Sequence, residues 1–215
     1  SCRRNGFDRM DAAERSAMES YCTDYKAFLD TSKTERLCAG EVVRLAEQAG
    51  YRPYVRGAAV KPGDKVYLCN RGKSVLLAHI GEKPLAEGVQ IAAAHIDSPR
   101  LDLKPNPLYE DGELAYFKTH YYGGIRKYQW GTIPLAMHGV VVKKDGETVE
   151  FSIGEDEKEP VFCVTDLLIH LSREQQTKPA NTVVEGENLD LLIGSQPLEG
   201  TEKEAVKAKA AKLDS

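Results

Sequence analysis

Little in this sequence belongs to a membrane protein, a disulfide scaffold or a nucleic-acid binder. No apolar run approaches the ~20 residues that a bilayer-spanning helix needs. The first stretch, SCRRNGFDRMDAAERS, lacks an apolar core, so no secretory signal is expected. There is no basic surplus. Lys and Arg number 29 against 33 Asp and Glu, for a net charge of −4 and a pI near 5.8. A protein gripping many phosphates needs the opposite balance, so general nucleic-acid binding is argued against. Cysteine is sparse and scattered: Cys2, Cys22, Cys38, Cys69 and Cys163. The count is odd and no pair has C-x-x-C spacing, so neither a disulfide framework nor a Cys-based zinc site is expected. Reduced thiols in a cytoplasmic protein fit best. There is no H-E-x-x-H, no Cys/His cluster, no internal repeat, and no low-complexity stretch before the charged tail. What remains is an ordinary globular composition, 41% hydrophobic and 29% charged over 215 residues. That length suits one large domain or two small ones.

Residues 9–30 place Met18, Tyr21, Tyr25, Phe28 and Leu29 on one helical face. Ser32 and Glu35 are spaced as a capping box for a second helix that stops at Gly50. Two strands follow, near 65–69 and 74–80, with a turn at Asn70 to Lys73. GVQIAAAHID (88–97) reads as a third strand, apolar at consecutive positions and therefore central and buried. After Pro99 the character changes. Pro105 and Pro107 mark a loop. ELAYFKTHYY, TIPLAMHGVVVKK and ETVEFSIG read as strands, the last two joined by a turn at Asp145-Gly146. VTDLLIHLSREQ (164–175) has helical length and spacing, NLDLLIGSQP reads as a strand, and the alanine-rich tail as a helix. The fold class is α/β, with a boundary near residues 100–105 and a β-rich second segment carrying one helix.

His95 and Asp97 form the sharpest candidate pair. Strand ends at the carboxyl edge of an α/β sheet are where ligands usually sit, and positions i and i+2 of a strand share a side. A neutral imidazole is a common zinc ligand that a nearby carboxylate can orient. Asp97-Ser98-Pro99 equally suits a turn beside a satisfied histidine. Both readings stand on spacing alone, because a catalytic zinc wants about three protein ligands and no second one can be named. HYYGGIRKYQW (120–130) suits an interface anchor or a turn with a local aromatic cluster. His79 reads as a core histidine and His138 as a strand end, while His120 is open. His170 follows Asp166 by four on the expected helix, a pairing worth only a few tenths of a kcal/mol.

AAAHIDSPRLDLKPNPLYE, THYYGGIRKYQWGTIPLAMHGVVV and FCVTDLLIHLS together resemble the aspartyl aminopeptidase family, particularly its bacterial members. These are dinuclear zinc metallo-aminopeptidases that remove N-terminal residues from peptides. The resemblance implies that His95 binds one of two zinc ions and that Asp97 supports the site as a catalytic residue. It implies that His170, on an inserted dimerisation domain, reaches into the neighbouring subunit's active site. It also implies homo-oligomers, with residues 1–104 the first part of a zinc-peptidase-like catalytic domain and 105–215 the inserted domain. The family's remaining zinc ligands and its general-base glutamate lie in segments that nothing here resembles. The chain is therefore expected to be an N-terminal fragment, inactive alone. Two other readings remain open: a stand-alone, non-catalytic oligomerisation protein derived from the family, and a one-metal hydrolase built on His95, Asp97 and local carboxylates.

Overall fold

The computed structural model describes residues 5–196. Its contacts divide the chain into two compact units, Ser1–Ser98 and Pro99–Ser215. The helix expected in the tail lies outside the described residues.

The first unit opens with α1 (Ala12–Thr31), started by a capping box. Asp11 Oδ1 accepts the Glu14 N–H at 2.8 Å, and the Glu14 carboxylate accepts the Asp11 N–H at 3.0 Å. The aromatic face forms as a ladder of stacked rings, Tyr21 on Tyr25 and Tyr25 on Phe28, yet no residue of α1 is buried. The cap of α2 (Glu35–Gln48) is Thr34, whose Oγ1 accepts the Leu37 N–H at 3.2 Å, and not the expected Ser32. Ser32 is committed elsewhere: its N–H closes α1 against the Phe28 and Leu29 carbonyls. The end of α2 agrees with the sequence. Gly50 takes φ +83° while the Tyr51 N–H returns to the Ala46 carbonyl at 2.9 Å. Cys38, Ala39 and Ala46 are the buried side chains of α2, small enough to let it lie close on the sheet. That sheet runs β1 (Arg52–Pro53), β2 (Lys65–Asn70), β3 (Ser74–His79), with β1 parallel and β3 antiparallel to β2. Tyr67 ties β2 to α2 by donating its hydroxyl to Glu47 at 2.7 Å.

Two expectations change in this unit. His79 is exposed at the end of the edge strand β3, not in a core. Residues 88–99 form no strand, and Val89 and Ile91 are 62% and 82% exposed. An unbroken apolar run gains from burial only where neighbours cover both faces, and no described strand pairs with it.

The second unit is built on an antiparallel sheet of β4 (Arg100–Asp111), β5 (Leu114–Tyr122), β8 (Cys163–Val164) and β9 (Leu191–Gly194), in the order β4-β5-β9-β8. Pro105 and Pro107 sit inside β4, where its register shifts between Leu103 and Leu108. They are tolerated because β4 is an edge strand. Residues 104 and 105, the boundary read from sequence, likewise fall within β4. Val164, Leu189 and Leu191 form the buried centre, with Phe117, Tyr121, Trp130 and Phe162 packed around them. A separate hairpin joins β6 (Met137–Val142) to β7 (Thr148–Ile153) through the expected Asp145-Gly146 turn. Gly139 is required there: a Cβ would lie 2.4 Å from Phe151 Cζ.

The helix expected over 164–175 does not form. Val164 ends β8, residues 165–174 are a loop with a turn at 169–171, and a 3-10 turn follows at Gln175–Thr177. Asp166 Oδ1 accepts both the Leu167 N–H at 2.8 Å and Gln175 Nε2 at 2.9 Å. This local side-chain bonding competes with a helical ladder. The helix would also have had no apolar partner among the described residues, where Leu167, Leu168, Ile169 and Leu171 are 55–70% exposed.

Candidate functional site

The exposed, irregular segment of residues 88–94 leads to His95, whose imidazole is in the open, 83% exposed against 40% for Asp97. Nδ1 lies 2.9 Å from the Asp97 carbonyl oxygen and 3.2 Å from Asp97 Oδ1. Two acceptors on one ring nitrogen select the tautomer that carries its proton on Nδ1. On this exposed ring the Nε2 lone pair is then available to a cation. A zinc-bound histidine has this arrangement, its other nitrogen donating to a carbonyl or carboxylate that fixes the ring. The pair is therefore chemically suited to one zinc ligand with its orienting neighbour. Among the described residues no group of three or more His, Cys, Asp or Glu side chains is placed to hold a metal, so the pair fits as part of a zinc site, not as a whole one.

His170 belongs to the other unit and is exposed. The base of its loop is closed by the Asp166–Gln175 bond, and its far side by Gln176 Nε2 donating to Ser172 Oγ at 2.6 Å. Ser172 is itself buried. The turn is completed by the Leu171 N–H on the Leu168 carbonyl at 2.8 Å. His170 is thus displayed on a braced turn between exposed Leu168, Ile169 and Leu171.

Three polar arrangements had no signal in the sequence. His138 is the second residue of β6, not a strand end, and its Nε2 meets Glu155 Oε1 at 2.6 Å. The two lie seventeen positions apart, and the β6–β7 pairing that turns the chain back brings them together. Tyr109 donates to Asp190 Oδ2 at 2.7 Å, while Asp190 Oδ1 accepts the Thr119 N–H. Burial, and then the Asp190 hydrogen bond, push the Tyr109 phenol well above its usual range. Lys104 Nζ meets Glu187 at 2.5 Å and holds that carboxyl below its usual range. The last two pairs join β4 to the stretch before β9 across more than 80 residues. In HYYGGIRKYQW the structure gives a turn with an aromatic cluster, with Gly123 against Pro99 and Lys127 Nζ over the Tyr121 ring.

A braced histidine with a free nitrogen fits many metalloproteins; comparison with known proteins decides among them. Residues 28–214 match the family model of the aminopeptidase I zinc metalloproteases, M18. The chain belongs to this M18 family. A probable M18 family aminopeptidase 1 of Clostridium acetobutylicum is 50% identical over 215 residues, covering 98% of this chain and 46% of the relative. The crystal structure of the M18 aminopeptidase of Thermotoga maritima superposes with a TM-score of 0.87 at 41% identity, covering 99% of this chain and 46% of that one. The S. cerevisiae mApe1 dodecamer shares the fold at a TM-score of 0.63 and 16% identity, covering 87% of this chain and 40% of that one. The M18 chain therefore spans about half the length of the relatives it matches, and its mixed α/β architecture is that of the corresponding half of these aminopeptidases.

Proposed function

We propose that this chain is the N-terminal part of a zinc aminopeptidase that releases N-terminal residues from peptides. In this reading His95 holds one of two zinc ions through Nε2, and Asp97 orients it and serves catalysis. Residues up to about 104 open the catalytic domain, and the rest is a dimerisation domain inserted in it. The observation that carries the reading is the Nδ1 contact of His95 with Asp97, set beside membership of a zinc metalloprotease family.

Zinc bound at such a site supplies Lewis acidity and a water of lowered pKa. The chain's own residues do the rest. The Asp97 carbonyl keeps the His95 proton on Nδ1, and the carboxylate at 3.2 Å holds the ring against rotation. His170 works in the neighbouring subunit of a homo-oligomer. Its braced turn offers an imidazole N–H to the oxyanion that forms when the peptide carbonyl is attacked. The aliphatic side chains around it suit insertion into a second subunit. Alone, the chain is inactive and binds zinc weakly, because it carries one zinc-ligand histidine. The compartment is cytoplasmic, and the substrates are peptides.

The test is His170→Phe in the whole protein. The variant should lower kcat by about 100-fold, the scale of losing one oxyanion donor, with the assembly state unchanged. Unaltered turnover would refute the role of His170.

A further inference from the structure

Between β8 and the stretch that leads into β9, the second unit holds a cavity of about 310 Å³, at the lower end of the size range of small-molecule sites. Val164, Val183 and Val184 give it an apolar wall, and Thr165, Gln175 and Asn188 add neutral polar groups. Among the described residues its lining holds one charged side chain, Asp166, and no Lys, Arg or His. The Asp166 carboxylate is fixed through one oxygen only. Oδ1 accepts both the Leu167 N–H and Gln175 Nε2. Oδ2 takes no hydrogen bond or ion pair among the described residues. Arg173, the one Lys or Arg in the loop 165–174, forms no ion pair with it.

Oδ2 lies on the Gly131 side of the carboxylate, where a Cβ on that glycine would come within 3.8 Å of it. The backbone is pinned at this point. Gly131 bridges Val164 as a parallel partner, and the Thr132 N–H donates to the Val164 carbonyl at 2.8 Å. Thr132 is held at φ +64°, a left-handed conformation that a β-branched residue adopts only where its surroundings impose it. The glycine thus keeps space beside an oxygen whose position other bonds have set. That oxygen is an acceptor only, and its best partner is a cationic donor. The donor set narrows the class. A divalent metal wants several oxygens, and no three metal-ligating side chains are grouped among the described residues. A guanidinium pairs best with both oxygens of a carboxylate, and here Oδ1 is taken. A primary ammonium needs one oxygen, and a short aliphatic stem matches the valine wall.

We propose that this cavity is a binding site for an alkylammonium group, held at Asp166 Oδ2 with its aliphatic stem along Val164, Val183 and Val184. Its lining includes none of His95, Asp97 and His170, so it goes beyond the peptidase reading. The probe is n-butylamine, added as its hydrochloride to the 215-residue chain at constant ionic strength. Titration calorimetry and the fluorescence of Trp130, the chain's single tryptophan and the neighbour of Gly131, report binding. Butylamine should bind saturably, and 1-butanol, which lacks the charge, at least about tenfold more weakly. Asp166→Asn keeps an oxygen for the Leu167 and Gln175 bonds but removes the charge, and should weaken butylamine by at least about tenfold. Gly131→Ala keeps the charge, fills the space beside Oδ2 and should weaken binding in the same direction. Circular dichroism spectra that match the parent confirm that the variants fold. Bound butylamine should slow deuterium exchange of the amides of 165–175, which the Asp166 carboxylate anchors. Tighter binding of butylamine than of Nα-acetyl-lysine-methylamide assigns the site to a free amine, and the reverse order assigns it to a lysine side chain. The absence of saturable binding, equal binding of 1-butanol, or a butylamine affinity that neither variant changes overturns the proposal.

Discussion

At the scale of single residues, the account turns on which nitrogen of His95 carries a proton. With Nδ1 between two oxygens of Asp97, the neutral ring should be the Nδ1–H tautomer. Long-range imidazole 15N spectra of the chain at a pH above the histidine range should show it, and added zinc should shift Nε2 of His95 first. An Nε2–H tautomer would contradict the site. Tyr109 gives a second residue-scale expectation. Its folded-state pKa is raised by burial and by the Asp190 hydrogen bond, so above the unfolded value of about 10 the unfolded chain binds fewer protons than the folded one. Stability is therefore fully present below pH ~10 and falls as pH climbs from there toward the folded value. Urea midpoints measured from pH 8 upward should decline more steeply in the parent than in Tyr109→Phe. The variant itself should be less stable by about 1.5 kcal/mol at neutral pH, the scale of a hydrogen bond to a charged group.

At the scale of elements, local chemistry explains both what could be read and what could not. The Gly50 stop and the Asp145-Gly146 hairpin turn each depend on residues a few positions apart and are legible in the sequence, whereas the equally local Asp11–Glu14 box of α1 went unread and the second helix is capped by Thr34, two residues past the expected Ser32. The 164–175 segment shows the opposite case. Its leucines have helical spacing, but nothing among the described residues covers them, and Asp166 stabilises a loop by reaching Gln175 nine residues away. The strand read over 88–97 fails for a related reason: its apolar run is real, but burial belongs to neighbours the run itself cannot specify. Likewise the His95–Asp97 contact is two residues long and visible, whereas His138–Glu155 and Tyr109–Asp190 depend on strand register and are not. Two outcomes follow at this scale. Asp166→Ala should open the base of the His170 loop, so that backbone amides of 167–175 exchange with deuterium faster while those of β5 stay protected; equal exchange in both proteins would deny the brace. Gly139→Ala should destabilise the unit by about 1–3 kcal/mol, because its Cβ meets the Phe151 ring at 2.4 Å. Phe151→Leu in the same chain should recover part of the loss in a thermal melt.

At the scale of the whole molecule, the two units divide the tasks. Unit one brings a single oriented histidine to the end of an exposed segment. Unit two displays a histidine among exposed aliphatic side chains. Among the described residues no three His, Cys, Asp or Glu side chains are grouped to hold a metal, and the chain spans about half the length of its M18 relatives. The most direct measurement is the zinc content of the whole protein, taken together with its release of N-terminal residues from peptides, for the parent and for His95→Ala. The account predicts that the parent holds zinc and cleaves, and that the variant loses zinc affinity by about 100-fold or more and loses turnover with it. A His95→Ala protein that keeps both its zinc and its turnover would contradict the account.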